Sequence, residues 1–180
     1  MKKIKEEVKE LEQKNHTIKD SLRELIPYII IIFTVVLVRT FLVTPIKVNG
    51  TSMVNTLEHG DTMILNKISM KFKDIKRFQI VVIKANDSYL IKRVIGLPGE
   101  TIEYKDGKLL INNKEYKDPY YKNNTLDFDK VVIPKEHYYV LGDNRSDSID
   151  SRIIGTISKD DILGTTKLII FPISNIGLAE

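Results

Sequence analysis

Apolar positions along this 180-residue chain change their spacing twice. Near the start, Ile4, Val8, Leu11, Asn15, Ile18, Leu22 and Leu25 recur at alternating intervals of four and three. That spacing predicts a helix over 1–24 whose apolar stripe either lies on a membrane surface or pairs weakly with a second copy. From Leu25 to Val43 the chain then reads LIPYIIIIFTVVLVRTFLV, 19 residues with Arg39 as their only charge. This approaches the ~20 residues a bilayer core requires, so a transmembrane helix is expected over 25–43. Pro27 falls in its first turn, where a missing N–H is harmless, and Arg39 sits near the far end, where it can snorkel to the headgroups. A cleaved signal peptide fits less well, because a long charged segment precedes the run and no small-x-small site follows it.

Beyond Thr44 the period shortens to that of strands. The runs TMILNKI, FQIVVIK, YLIKRVI, TIEYK, KLLIN, VVIP, HYYVLGD, IIGTI and KLIIF are separated by turn residues, so residues 44–180 are expected to form a mostly β domain. Asp106-Gly107 and Asn112-Asn113 suit tight hairpins, and Leu97-Pro98-Gly99 suits a turn needing positive φ at the glycine. Tyr116 to Asp129 has no period and reads as a polar surface excursion. IIFPI near the C-terminus is too short to span a bilayer and reads as a last strand.

Composition narrows the chemistry. The chain has no cysteine, which removes disulfides, thiolate metal sites and a cysteine nucleophile. A net charge of +4 is too mild and dispersed for a nucleic-acid footprint and suits a membrane surface better. Residues 1–24 carry seven Lys/Arg, which favours a cytoplasmic N-terminus and an extracytoplasmic remainder.

Three segments concentrate reactive residues: VNGTSMVNTLEHGD from Val48, YLIKRVIGLPGE from Tyr89, and GDNRSDSIDSR from Gly142. Read alone, Ser52 is a turn serine, Lys92 a snorkelling strand lysine, and the third segment a polar turn or, without the right ligand spacing, a calcium loop. A serine nucleophile needs a base, and His16, His59 and His137 fit no familiar Ser-His-Asp order, which leaves a lysine. Strand alternation puts Lys92 on the face of Leu90 and Val94 with Arg93 opposite, so one of the two is expected to face inward.

In order and content the three segments resemble type I signal peptidases, membrane-bound serine endopeptidases. The resemblance runs from the anchor through Arg152. It implies Ser52 as nucleophile, Lys92 as general base, Ser148 as the hydroxyl orienting the lysine amine, and Asp150 with Arg152 as a supporting ion pair. No metal or cofactor is implied. The implied substrates are secretory preproteins, cut after small residues at the outer face of the cell membrane, with Ile46, Val48, Met53, Leu57, Val82 and Ile91 lining shallow pockets. Gly50, where some members carry a hydroxyl, resembles the Gram-positive branch and leaves the Ser52 N–H as the expected oxyanion donor. Two positions depart from the family pattern. Asn55 stands where proline is commoner, implying a looser turn, and Phe78-Gln79 stands where Gly-Asp is commoner. Two rivals are a self-cleaving repressor-type Ser/Lys peptidase, which lacks an anchor, and an inactive membrane-tethered scaffold on the same fold.

Overall fold

A computed structural model describes residues 23–37, 43–67, 74–85, 88–120 and 126–179. The chain forms two compact units, Met1–Phe41 and Leu42–Glu180. In the first, residues 23–37 form a helix, α1, whose apolar side chains are exposed, among them Ile29, Ile32 and Phe33 at 61%, 63% and 65%. The seam over 1–22 and residues 38–42 of the apolar run lie outside the described residues. Among the described residues no helix is long and apolar enough to cross a membrane.

The second unit is mostly β. Its strands are β1 (Val43–Lys47), β2 (Thr62–Asn66), β3 (Ile80–Ala85), β4 (Ser88–Gly96), β5 (Thr101–Lys105) and β6 (Lys108–Ile111). They continue with β7 (Lys114–Tyr116), β8 (Phe128–Val132), β9 (His137–Leu141), β10 (Ile157–Ser158), β11 (Ile162–Phe171) and β12 (Gly177–Leu178). One sheet runs β1-β2-β11-β3-β4-β9-β10 with β12 beside β11, and a smaller one runs β7-β6-β5-β8. Asp106-Gly107 and Asn112-Asn113 make the two hairpin turns of the small sheet with positive φ at all four residues, and Gly99 has φ 79°.

Residues Ile80–Ile83 of β3 and Lys92–Gly96 of β4 are buried without alternation because both faces of the sheet are covered. On one side Val81, Ile83, Val94, Tyr138 and Val140 pack together. Ile95, Tyr139 and Leu141 of the large sheet meet Ile102, Tyr104, Leu109 and Ile111 of the small one. A third cluster, Val48, Met53, Leu57, Met63, Ile80 and Ile169, lies beneath the loop after β1.

Two sequence expectations change. Within IIGTI, Ile153 and Ile154 belong to a short helix, α2 (Ser151–Ile154), and only the last residue joins a strand. Asp150 caps that helix by accepting from the Arg152 N–H, and a local cap of this kind overrides the β-branched composition. The excursion from Tyr116 is not wholly a surface segment. The Asp118 side chain is only 2% exposed, because it is paired with Arg145.

Candidate active site

The loop from Val48 to Asp61 is a closed unit. Its ends are joined by the Val48 N–H to the Asp61 carbonyl at 2.8 Å and the Gly60 N–H to the Val48 carbonyl at 3.0 Å. Met53 and Leu57, 2% and 1% exposed, plug it into the core beneath. Between them the Met53 carbonyl accepts from the Thr56 and Leu57 N–H groups, which curls the chain into a tight turn. Asn55 sits in that turn at φ 85°, a value asparagine tolerates and proline cannot reach. The turn is therefore not a slackened proline turn but one that proline could not make. Phe78 likewise holds φ 68°, a glycine-friendly conformation, while its ring packs near Tyr116 and Tyr120.

Ser52 emerges half-buried from this loop. Lys92, on β4, brings its Nζ to 2.6 Å from Ser52 Oγ. Lys92 is 2% exposed, and its ammonium has no ion-pair partner within salt-bridge distance among the described residues. Burial pushes its pKa below the ordinary lysine value, against a smaller opposing pull from the carboxylates of Asp150 and Asp143. A neutral amine at hydrogen-bond distance from a hydroxyl can accept its proton.

Arg93 is no less buried, at 1%, so the two bases do not divide into one inward and one outward. They sit opposite Val81 and Ile80 respectively on β3 and reach different surroundings. Arg93 forms a two-pronged pair with Asp143, Nε to Oδ1 at 2.8 Å and Nη2 to Oδ2 at 2.6 Å. It also donates to the Phe78 carbonyl at 2.8 Å and stacks 3.4 Å from the centre of the Tyr120 ring. A sheet covered on both sides can hold an arginine only with such a full set of partners.

The turn after β9, from Gly142 to Asp150, closes the site. The Asn144 N–H donates to the Ser52 carbonyl at 3.0 Å, and Asn144 Nδ2 donates to the Thr51 carbonyl at 3.2 Å. Thr51 Oγ1 donates to Asp147 at 2.6 Å, and Thr56 Oγ1 donates to Asp143 at 2.6 Å. Gly142 has no room for a side chain, since a Cβ there would collide with Ser148 and stand 2.5 Å from the Ser52 carbonyl oxygen. Asp150, fully buried, accepts from the Gly142 N–H at 3.0 Å and from Arg152 Nε and Nη2 at 2.8 Å each. Burial alone would raise its pKa, but those donors and the Arg152 charge hold it below the ordinary value. Ser148 Oγ is buried against Gly142, close enough to Asp150 to help hold that carboxylate charged. No direct hydrogen bond joins it to Lys92 Nζ.

A groove of about 550 Å³ opens in front of Ser52 and Lys92. Ile46, Val48, Met53, Val82 and Ile91 line it, whereas Leu57 lies in the core beneath the loop. Strand β1 pairs only with β2, and β4 pairs with β9 only from Arg93 onward. Both free edges face no partner strand among the described residues. The Ser52 N–H makes no hydrogen bond among them either, and the Gly50 N–H is turned to His59 Nδ1 at 3.2 Å.

A half-buried serine beside a buried lysine without an ion pair, facing an apolar groove, is an arrangement that can support acyl transfer. The family described as signal peptidase, peptidase S26, matches residues 22–171. The chain belongs to that signal peptidase family. It is 38% identical over 182 residues to signal peptidase I P of Bacillus subtilis subsp. natto, covering 93% of this chain and 97% of the relative. It is 40% identical to signal peptidase I T of Bacillus subtilis (strain 168), covering 80% and 82% of the two chains. A solved signal peptidase I from Enterococcus faecalis V583 is 34% identical, covers 52% of this chain and 97% of its own, and superposes with a TM-score of 0.48. This chain is therefore an enzyme of the signal peptidase I kind and of its Gram-positive branch.

Four further residues near Ser52 were not among the sequence candidates. Arg93, Gly142, Asp143 and Asn144 are what tie the Ser52 loop to β4 and to the turn after β9. Their letters lay inside the recognised segments. Nothing in one-dimensional order says that the second base of IKR pairs with the Asp of GDN, 50 residues away.

Proposed function

We propose that the chain removes signal peptides from exported preproteins by a Ser52/Lys92 dyad. The observation that carries this reading is the 2.6 Å approach of a buried Lys92 Nζ to Ser52 Oγ. Lys92 takes the hydroxyl proton as Ser52 attacks the scissile carbonyl, and then gives that proton to the leaving amine. Water, deprotonated by the same amine, hydrolyses the acyl-enzyme and regenerates Ser52. The tetrahedral oxyanion is received by the unengaged Ser52 N–H, with no side-chain donor from Gly50.

The substrate lies extended in the groove and adds as a strand to the free edges of β1 and β4. Ile46, Val48, Met53, Val82 and Ile91 form shallow apolar pockets for small side chains, with Leu57 supporting Met53 from below. Gly142 and Asn144 fix the backbone of Ser52, and Ser148 with the Asp150–Arg152 pair fixes the surroundings of the amine. Residues 25–43 anchor the enzyme in the cell membrane as a single span, with residues 1–24 cytoplasmic and residues 44–180 extracytoplasmic. The uncovered apolar faces of α1 support this, since lipid rather than water suits a helix that is apolar all round. The helix over 1–24 rests on the inner leaflet or pairs weakly with a second copy.

Detergent-solubilised protein incubated with a preprotein tests the reading. Wild type should release the mature chain, and Ser52→Ala and Lys92→Ala should not. Undiminished cleavage by either variant refutes the dyad.

A further inference from the structure

Residues 117–120 leave the small sheet in what the sequence presents as a polar surface stretch, yet two of its side chains reach two buried arginines. Arg93 bonds to Thr56 of the Ser52 loop, and Arg145 bonds to the turn after β9. Asp118 Oδ2 lies 2.7 Å from Arg145 Nη2, with both side chains at 2% exposure or less. Tyr104, on β5, donates its hydroxyl to the same carboxylate at 2.7 Å, and Arg145 Nη1 lies 3.3 Å from that hydroxyl. Asp118 Oδ1 accepts from the Tyr120 N–H at 2.9 Å, which aims the Tyr120 ring over Arg93. On its far side Arg145 Nε donates to the Gly142 carbonyl at 2.9 Å.

One carboxylate thus stands behind the turn after β9. Arg145 carries its hold to Gly142, Tyr120 carries it to Arg93 and so to Asp143, and Asn144 between them grips the Ser52 carbonyl. Asp118 lines no part of the groove. We propose that Asp118 is a positioning residue for Ser52, so that the segment after β7 sets the rate of the chemical step without touching substrate. Glycine at 142 makes this clamp necessary. The turn there has no side chain of its own to pack, and its closeness to Ser52 leaves no slack for misplacement.

The inference rests on the dyad reading, and full-length protein in detergent separates the two. A wild type unable to cleave preprotein overturns the dyad reading itself. Given an active wild type, kcat and KM are measured for Asp118→Asn, which keeps shape and loses charge, and for the double variant Asp118→Leu/Arg145→Met. The double variant leaves neither charge buried alone and so is expected to fold even where the single one does not. Both should lose at least tenfold in kcat with KM within twofold, well below their melting temperatures. A purely structural pair predicts that the folded double variant recovers wild-type kcat, and that result overturns the proposal. A rise in KM at constant kcat overturns it as well.

Discussion

Lys92 and Arg93 are neighbours on β4, 2% and 1% exposed, and the sheet treats them oppositely. Around Arg93 each guanidinium nitrogen is met by Asp143, Thr56 or the Phe78 carbonyl, and the Tyr120 ring covers a face. Around Lys92 the nearest polar atom is a hydroxyl, and the carboxylates of Asp150 and Asp143 act only from a distance. Asp150 is also compensated by Arg152, and Asp143 by Arg93, so neither is left to neutralise the lysine. Burial with partners fixes a charge and stiffens the fold. Burial without them lowers a lysine's pKa and so favours the neutral amine, the form that can act as a base. The side-chain types are matched to these tasks, because arginine does not give up its proton in proteins and lysine does so readily when desolvated.

The contrast can be broken most severely at the Lys92 side. Ser52→Ala or Lys92→Arg should lower cleavage by about 10⁴-fold or more, since an arginine at 92 cannot serve as base, with the circular dichroism spectrum retained. At the other side, Arg93→Met leaves Asp143 buried and unpaired. It should cost about 3–5 kcal/mol in a urea titration, whereas removing both charges together should restore most of that loss.

Acidity sharpens the comparison further. The folded pKa of Lys92 lies below 10.5, so in the window between them the unfolded chain binds the extra proton and stability rises with pH. Activity should fall about tenfold per pH unit below the folded pKa, and an activity flat into acidic pH would sink the lysine-base assignment. Lys92→Met should melt higher than wild type at neutral pH, with the gain shrinking as pH approaches 10.5. The smallest effect is expected at the link between the two sides. Thr56→Val removes the 2.6 Å bond to Asp143 and should cost about 1–2 kcal/mol, read as a lower urea midpoint with Ser52 still reactive.

Much of the domain was legible from local rules. Alternation and β-branched content announce strands, and Asp106-Gly107, Asn112-Asn113 and Gly99 mark turns because their backbone conformations are ones few other residues hold. Where local rules failed, a specific contact had overridden them. Ile153 and Ile154 were drawn into α2 by the Asp150 cap, and Asp118 was drawn out of solvent by Arg145.

The sequence alone determined the mostly β class, the apolar run over 25–43, and the order of the serine, lysine and acidic-turn segments, because period and residue type are properties of neighbours along the chain. It also determined, through the family resemblance, which serine and which lysine to watch. Tertiary structure decided that both bases of IKR are buried and that only one is left without a counter-charge. It decided too that Asn55 takes a turn closed to proline, and that the Asp118 carboxylate, just past the end of β7, is buried against Arg145. Charge compensation and desolvation are set by groups tens of residues apart, which only the folded chain brings within a few ångströms.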